Sequence, residues 1–173
     1  MNYNGSSCLL SVDGTDFKIQ EQTPFWSGWR SHKFNGPGLR YEVAVCIQTG
    51  FVVWVNGPFA AGAFPDITIF RSKLKKLLFP WERVEADLGY RGDKSVHGPD
   101  DHAPTFGQYI AKDKVRDRHE TINKLFKEFN CLKQIFRHDI SNHGTVFNAV
   151  AVITQLSIEM GERGPYKVSY KTM

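Results

Sequence analysis

The sequence predicts an α/β domain: a mixed sheet of three antiparallel strands and then a further strand, flanked by helices. Three observations lead there. β-branched and aromatic segments crowd the first third of the chain, a stretch around residue 120 repeats its apolar residues at helical spacing, and strands precede helices along the sequence. That order suits helices packed on the faces of one sheet. A chain of 173 residues is the size of a single domain and buries a core without disulfides or structural metal.

Residues 8–12 (CLLSV) and 17–19 read as a first strand interrupted at Asp13-Gly14-Thr15-Asp16, where glycine and acidic residues favour a break or bulge. Residues 41–47 (YEVAVCI) and 51–55 (FVVWV) form an antiparallel hairpin turning at Gln48-Thr49-Gly50. The segment before it, with Gly28, Gly36, Pro37 and Gly38, reads as ordered loop. Asp66 is an N-cap candidate for a helix carrying Ile67, Phe70, Leu74, Leu77 and Leu78.

Residues 84–88 (VEADL), closed by Gly89, read as a short strand, and residues 90–108, rich in Gly, Pro, Asp and His, as a loop. Over residues 115–132, Ile122, Leu125, Phe126, Phe129 and Leu132 mark one face of an amphipathic helix, with Arg116, Glu120, Lys124 and Lys127 opposite. Residues 146–160, after Ser141 and Thr145 and capped by Gly161, are apolar on most sides and predict a core helix. There is no internal repeat.

Hydrophobic residues at 41% and charged residues at 23% place the chain among globular proteins. No apolar run approaches the roughly 20 residues of a membrane span, and residues 1–8 are polar where a secretory signal is apolar, so no membrane partner and an intracellular setting are expected. Cys8, Cys46 and Cys131 suggest neither a disulfide framework nor a zinc motif, and are expected to be reduced, buried thiols. The net charge of +4 leans towards an anionic partner. Cations group as Arg30, His32, Lys33 and Arg40, as Arg71, Lys73, Lys75 and Lys76, and as Lys112, Lys114, Arg116 and Arg118; each group fits a solvated face equally well.

Four acidic residues stand at element ends or on a polar helix face: Asp13 after a strand, Asp66 opening a helix, Asp87 closing the fourth strand, and Glu120. Strand ends from distant parts of a chain can converge in an open sheet. Converging carboxylates repel unless a cation lies between them, which points to a hard divalent metal, Mg2+ or Mn2+. Two such ions about 4 Å apart activate water and stabilise the leaving oxygen of a phosphodiester. Singly, each residue has an ordinary role: Asp66 as a cap, Asp13 and Asp87 as turn residues, Glu120 as a solvated charge.

Val12-Asp13-Gly14-Thr15 after a hydrophobic strand resembles the first catalytic aspartate motif of DDE transposases, in particular the PIF/Harbinger group. Gly62-Ala63-Phe64-Pro65-Asp66 followed by Ile69-Phe70 resembles that group's Pro-Gly-Ser-x-x-Asp segment, from which Ala60, Ala61 and Pro65 depart. Ala86-Asp87-Leu88-Gly89-Tyr90 is similar to its Asp-x-Gly-Tyr strand end. Arg116, Glu120 and Lys127 fit an Arg-x3-Glu-x6-Lys signature around the catalytic glutamate, whose tyrosine would fall at Asp113. These motifs run in order from about residue 8 to residue 160.

The resemblance implies a ribonuclease H-like fold and a metal-dependent DNA endonuclease and strand-transfer domain acting on transposon ends in the nucleus. It implies Asp13, Asp87 and Glu120 as the catalytic three, with Asp66 a fourth metal ligand or a group supporting the ligands, and two divalent cations. Arg116, Lys127 and Lys33 are candidate contacts to DNA phosphates, although Arg116 and Lys127 also suit ordinary helix pairing. Trp26, Trp29 and Trp81 either stack on unpaired bases or pack at the core and its rim. Only seven residues precede the first strand, so the helix-turn-helix region typical of the group is expected upstream in a longer gene or in a partner protein. A homo-oligomer is a further candidate assembly. The alternatives are a decayed or domesticated relative that binds DNA or protein without cutting, and another ribonuclease H-like nuclease.

Overall fold

A computed structural model describes residues 2–3, 6–98 and 106–162, with side chains over 8–98 and 113–162. Its centre is a seven-stranded mixed sheet. The strands are β1 (Asn2–Tyr3), β2 (Ser6–Lys18), β3 (Arg30–Ser31), β4 (Gly36–Cys46), β5 (Val52–Ala60), β6 (Glu82–Ala86) and β7 (Val96–His97). They run β5-β4-β2-β6-β7 across the sheet, with β3 also on β4 and β1 on β2. β5, β4 and β2 pair antiparallel, whereas β2, β6 and β7 pair parallel. β2 is therefore the seam between the two halves.

The expected break at Asp13-Gly14-Thr15-Asp16 does not occur. All four residues pair with β4, from Asp13↔Val43 to Asp16↔Arg40, and β2 runs straight through. Gly14 serves a close approach: a Cβ there would lie 2.1 Å from Asp66 Oδ1. The irregularity of β2 falls earlier, between Cys8 and Leu10 against β6. The hairpin extends beyond its predicted ends, to Gly36 and Ala60, and its outer strand β5 takes Pro58, whose missing N–H is tolerated at a sheet edge. The predicted loop at 90–108 contains β7 and the start of a long helix.

The helices are α1 (Asp66–Ser72), α2 (Leu74–Leu77), α3 (Phe106–Glu128), α4 (Asn130–Lys133) and α5 (His143–Glu159). The single helix predicted from Asp66 is split at Lys73, whose φ of −135° is not helical. The helix predicted over 115–132 starts earlier and breaks at Phe129, where ψ is 120°.

Alternation along the strands sends successive side chains to opposite faces. Phe17, Tyr41, Val43 and Val45 meet Ile122 and Phe126 of α3 and Phe147 of α5 on one face. Val12, Ala44 and Val84 meet Phe70, Leu74 and Tyr90 on the other. Each large apolar side chain so buried contributes about 1.5–3 kcal/mol. α5 buries Phe147, Val150, Ala151 and Ile158 but leaves Val152, Ile153, Leu156 and Met160 exposed, so it is not the all-round core helix predicted. It packs against β5 and α3. Cys8 is buried, Cys46 half-buried and Cys131 exposed, which corrects the expectation of three buried thiols, and none of the three is in a disulfide. Among the described residues no helix is long and apolar enough to cross a membrane.

The first core holds a buried polar pair: Tyr41 Oη and His143 Nδ1 lie 2.7 Å apart, with the rings stacked at 5.5 Å. Burial lowers the His143 pKa to about 4, and that of the equally buried His119 to about 4. Both folded values lie below the unfolded value near 6.5, so the unfolded chain takes up these protons first. Stability should therefore fall as pH drops from about 6.5 towards 4, each histidine costing up to roughly 3 kcal/mol. Denaturant titrations of the wild type and His143→Phe across this range should show a shallower slope in the variant. An unchanged slope would mean that His143 does not titrate with unfolding.

Candidate active site

Parallel pairing of β2 with β6 ends at Val12↔Ala86, and the next residue on each strand is an aspartate, Asp13 and Asp87. Neighbouring strands lie about 4.8 Å apart, so the two backbones stand side by side where the parallel ladder stops, and both residues line one cleft. Asp13 Oδ2 accepts a hydrogen bond from Asn123 Nδ2 of α3 at 2.9 Å. Asp87 Oδ1 accepts from the Gly89 backbone N–H at 2.9 Å, closing the 3-10 turn Leu88–Tyr90. The turn role foreseen for Asp87 is thus real, whereas Asp13 sits in mid-strand and shapes no turn.

α3 crosses in front of this pair. Glu120 lines the same cleft as Asp13 and Asp87, a cavity of about 460 Å³ that Lys33 and Arg116 also border. Arg116 Nε and Glu120 Oε1 form an (i, i+4) pair at 3.5 Å, both largely exposed. His119 is buried with Nδ1 3.0 Å from Ser11 Oγ on β2, anchoring the helix. The Lys33 ammonium donates to the Gly14 carbonyl, one step beyond the Asp13 position at the end of the parallel ladder. Lys127 holds its ammonium 5.7 Å from the Phe17 ring centroid; burial and the charge of Lys33 lower its pKa, against the opposing pull of Asp16 and Asp13.

Asp66 is on a different footing. It is not the N-cap of α1, a position held by Pro65, but the first residue of the helix. Its carboxylate instead reaches between Gly14 and Gly89, both of which lack the Cβ that would obstruct it, and pairs with Arg40 Nη1 at 3.3 Å. Burial raises its pKa to about 6, against the opposing charges of Arg40 and Lys33, and Asp87 and Asp13 push it up further. It does not line the cleft of Asp13, Asp87 and Glu120. Burial likewise raises Glu42 to about 7, with the hydrogen bond from Trp54 Nε1 opposing.

Sequence reasoning missed the residue that organises this region. Asp16 is fully buried, accepts from Arg40 Nε at 2.7 Å and Nη2 at 3.0 Å, and accepts from Ser31 Oγ at 2.5 Å. Asn123 was missed too. The one signal for either was position: Asp16 lies in the same motif as Asp13, and Asn123 one helical turn from Glu120.

Several basic residues prove structural. Arg40 serves Asp16 and Asp66, Arg118 donates to the Ile47 carbonyl inside the fold, and Arg71 and Lys75 clamp Asp93 at 2.9 and 2.7 Å. The Lys112 side chain lies outside the described residues. Trp26 and Trp29 pack edge to face at 5.4 Å, and Trp81 stacks on Phe79 at 5.6 Å. None of the three borders the cleft.

The donor chemistry suits a hard cation: among the described residues, Asp13 and Asp87 each commit one oxygen to a hydrogen bond and keep the other. Among the described residues, however, no group of three His, Cys, Asp or Glu side chains is gathered tightly enough to hold an ion. Glu120 would have to leave Arg116 to join the two aspartates. No protein-family model, curated protein or solved structure matches the chain significantly.

Proposed function

We propose that this chain is the metal-dependent strand-cleaving domain of a DDE-type, PIF/Harbinger-like transposase with a ribonuclease H-like fold. The observation that carries the reading is that Asp13 and Asp87 each follow the last pair of the parallel β2–β6 ladder and line one cleft, to which a later helix brings Glu120. The strand order, antiparallel β5-β4-β2 followed by parallel β6 and β7, supports the fold assignment.

In this reading Asp13, Asp87 and Glu120 hold two divalent cations, Mg2+ or Mn2+, which when bound supply an activated water and stabilise the leaving oxygen. Asn123 orients Asp13 through its amide. Lys33 and Arg116 place positive charge at the cleft for a DNA phosphate. Asp66, away from the cleft, serves as a partner of Arg40 rather than as a metal ligand. The domain acts on transposon ends in the nucleus, and sequence-specific end recognition comes from a helix-turn-helix region or a partner protein.

A second reading, a relative that binds without cutting, is favoured by the dispersed carboxylates and the Arg116–Glu120 pair. Nicking of supercoiled plasmid with Mg2+ or Mn2+ separates the two. Wild-type protein should nick only with metal, and Glu120→Gln should lose nicking with an unchanged circular dichroism spectrum, because position 120 is solvent-facing. Binding of plasmid without nicking would select the second reading, and wild-type nicking by Glu120→Gln would remove Glu120 from the site.

A further inference from the structure

Resting on the nuclease reading, we propose that the groove on the far side of Leu88 carries the phosphodiester backbone of the DNA strand flanking the cleavage point. This groove, about 430 Å³, adjoins the carboxylate cleft and shares Asp87 and Leu88 with it. The two cavities have opposite charge. The cleft gathers Glu85 and Asp113 beside the three candidate carboxylates, against Lys33 and Arg116. The groove gathers Arg83, Arg91 and Lys94.

Its acids do not cancel that charge. Asp93 is already clamped by Arg71 and Lys75, which with the Ser95 backbone N–H hold its carboxyl down at about 2, burial opposing them. Asp87 belongs to the cleft. Among the described residues, a polyanion leaving the acidic cleft past the exposed Leu88 meets the cations Arg83, Arg91 and Lys94. The scissile phosphate would lie at Asp13 and Asp87, where cations offset the carboxylates, and neighbouring phosphates of the same strand would lie in the basic groove. Backbone contacts of this kind position the strand without reading its sequence.

The test is metal-free binding of a mixed-sequence DNA duplex, measured against salt for the wild type, for Arg83→Gln/Lys94→Gln, and for the charge-matched control Lys73→Gln/Lys76→Gln outside both cavities. Lys94→Gln alone, at an exposed position, covers the case in which the double variant melts early. Loss of two phosphate contacts should lower the slope of log affinity against log salt by about 1–2, and loss of one by about 1, with the control unchanged. Equal losses in control and groove variants would overturn the proposal in favour of general charge attraction. Wild-type slopes in the groove variants would overturn it while leaving the nuclease reading intact. No wild-type binding to duplex would overturn both, and tighter, Lys94-dependent binding of polyglutamate than of DNA would replace the strand with an acidic protein.

Discussion

Asp13→Asn is expected to abolish metal-dependent nicking and, in the same protein, to remove the metal-induced rise in melting temperature. Asp13 shares one cleft with Asp87 and Glu120, so the metal-free protein gathers like charges there. Asparagine is isosteric, keeps an oxygen for the Asn123 amide and removes one of those charges, so the metal-free variant should be as stable as the wild type or more so. Metal at about one hundred times its dissociation constant should stabilise the wild type by roughly 2.7 kcal/mol, and the variant by little. Thermal scans with and without Mg2+ or Mn2+ read both halves. An identical metal response in the two proteins would take Asp13 out of the site and leave the nuclease proposal without its main physical support.

The second large effect is on folding. Asp16→Ala should destabilise the protein by about 3–5 kcal/mol, because it leaves the Arg40 guanidinium buried opposite an empty position. For a domain of this size that is a fall of roughly 6–20 °C in melting temperature. Asp66 is a poor substitute partner, since it meets only Arg40 Nη1, at 3.3 Å, whereas Asp16 serves Nε and Nη2. The double variant Asp16→Leu/Arg40→Met, which removes both charges, should recover a good part of the loss. A single-variant cost under about 1 kcal/mol would mean that water reaches Arg40 once Asp16 is gone.

The two variants probe features of very different legibility. The hairpin strands, the fourth strand and the amphipathic face of Ile122, Phe126 and Leu132 were readable because side-chain period 2 and period 3.6 are local properties of a chain. Asp87, just past the end of β6, was readable for the same reason, since an acidic residue closing an apolar run is visible without knowing its neighbours, whereas Asp13, expected at a strand end, lies in the middle of β2. Composition also carried the absence of any apolar stretch able to form a spanning helix among the described residues.

Tertiary structure decided which of these groups meet. Asp16 and Arg40 are 24 positions apart, Asp13 and Asn123 are 110 apart, and only the β2–β4 register and the packing of α3 on β2 bring them together. The same register kept β2 continuous where glycine and acidic residues favoured a break, since hydrogen bonding to β4 outweighed local preference. It also turned Asp66 from a plausible cap into an ion-pair partner, because a buried cation nearby attracts a carboxylate more strongly than a helix terminus does. Local sequence sets the shape of each element, but contacts between distant elements depend on register and crossover, which arise only when the whole sheet closes against its helices.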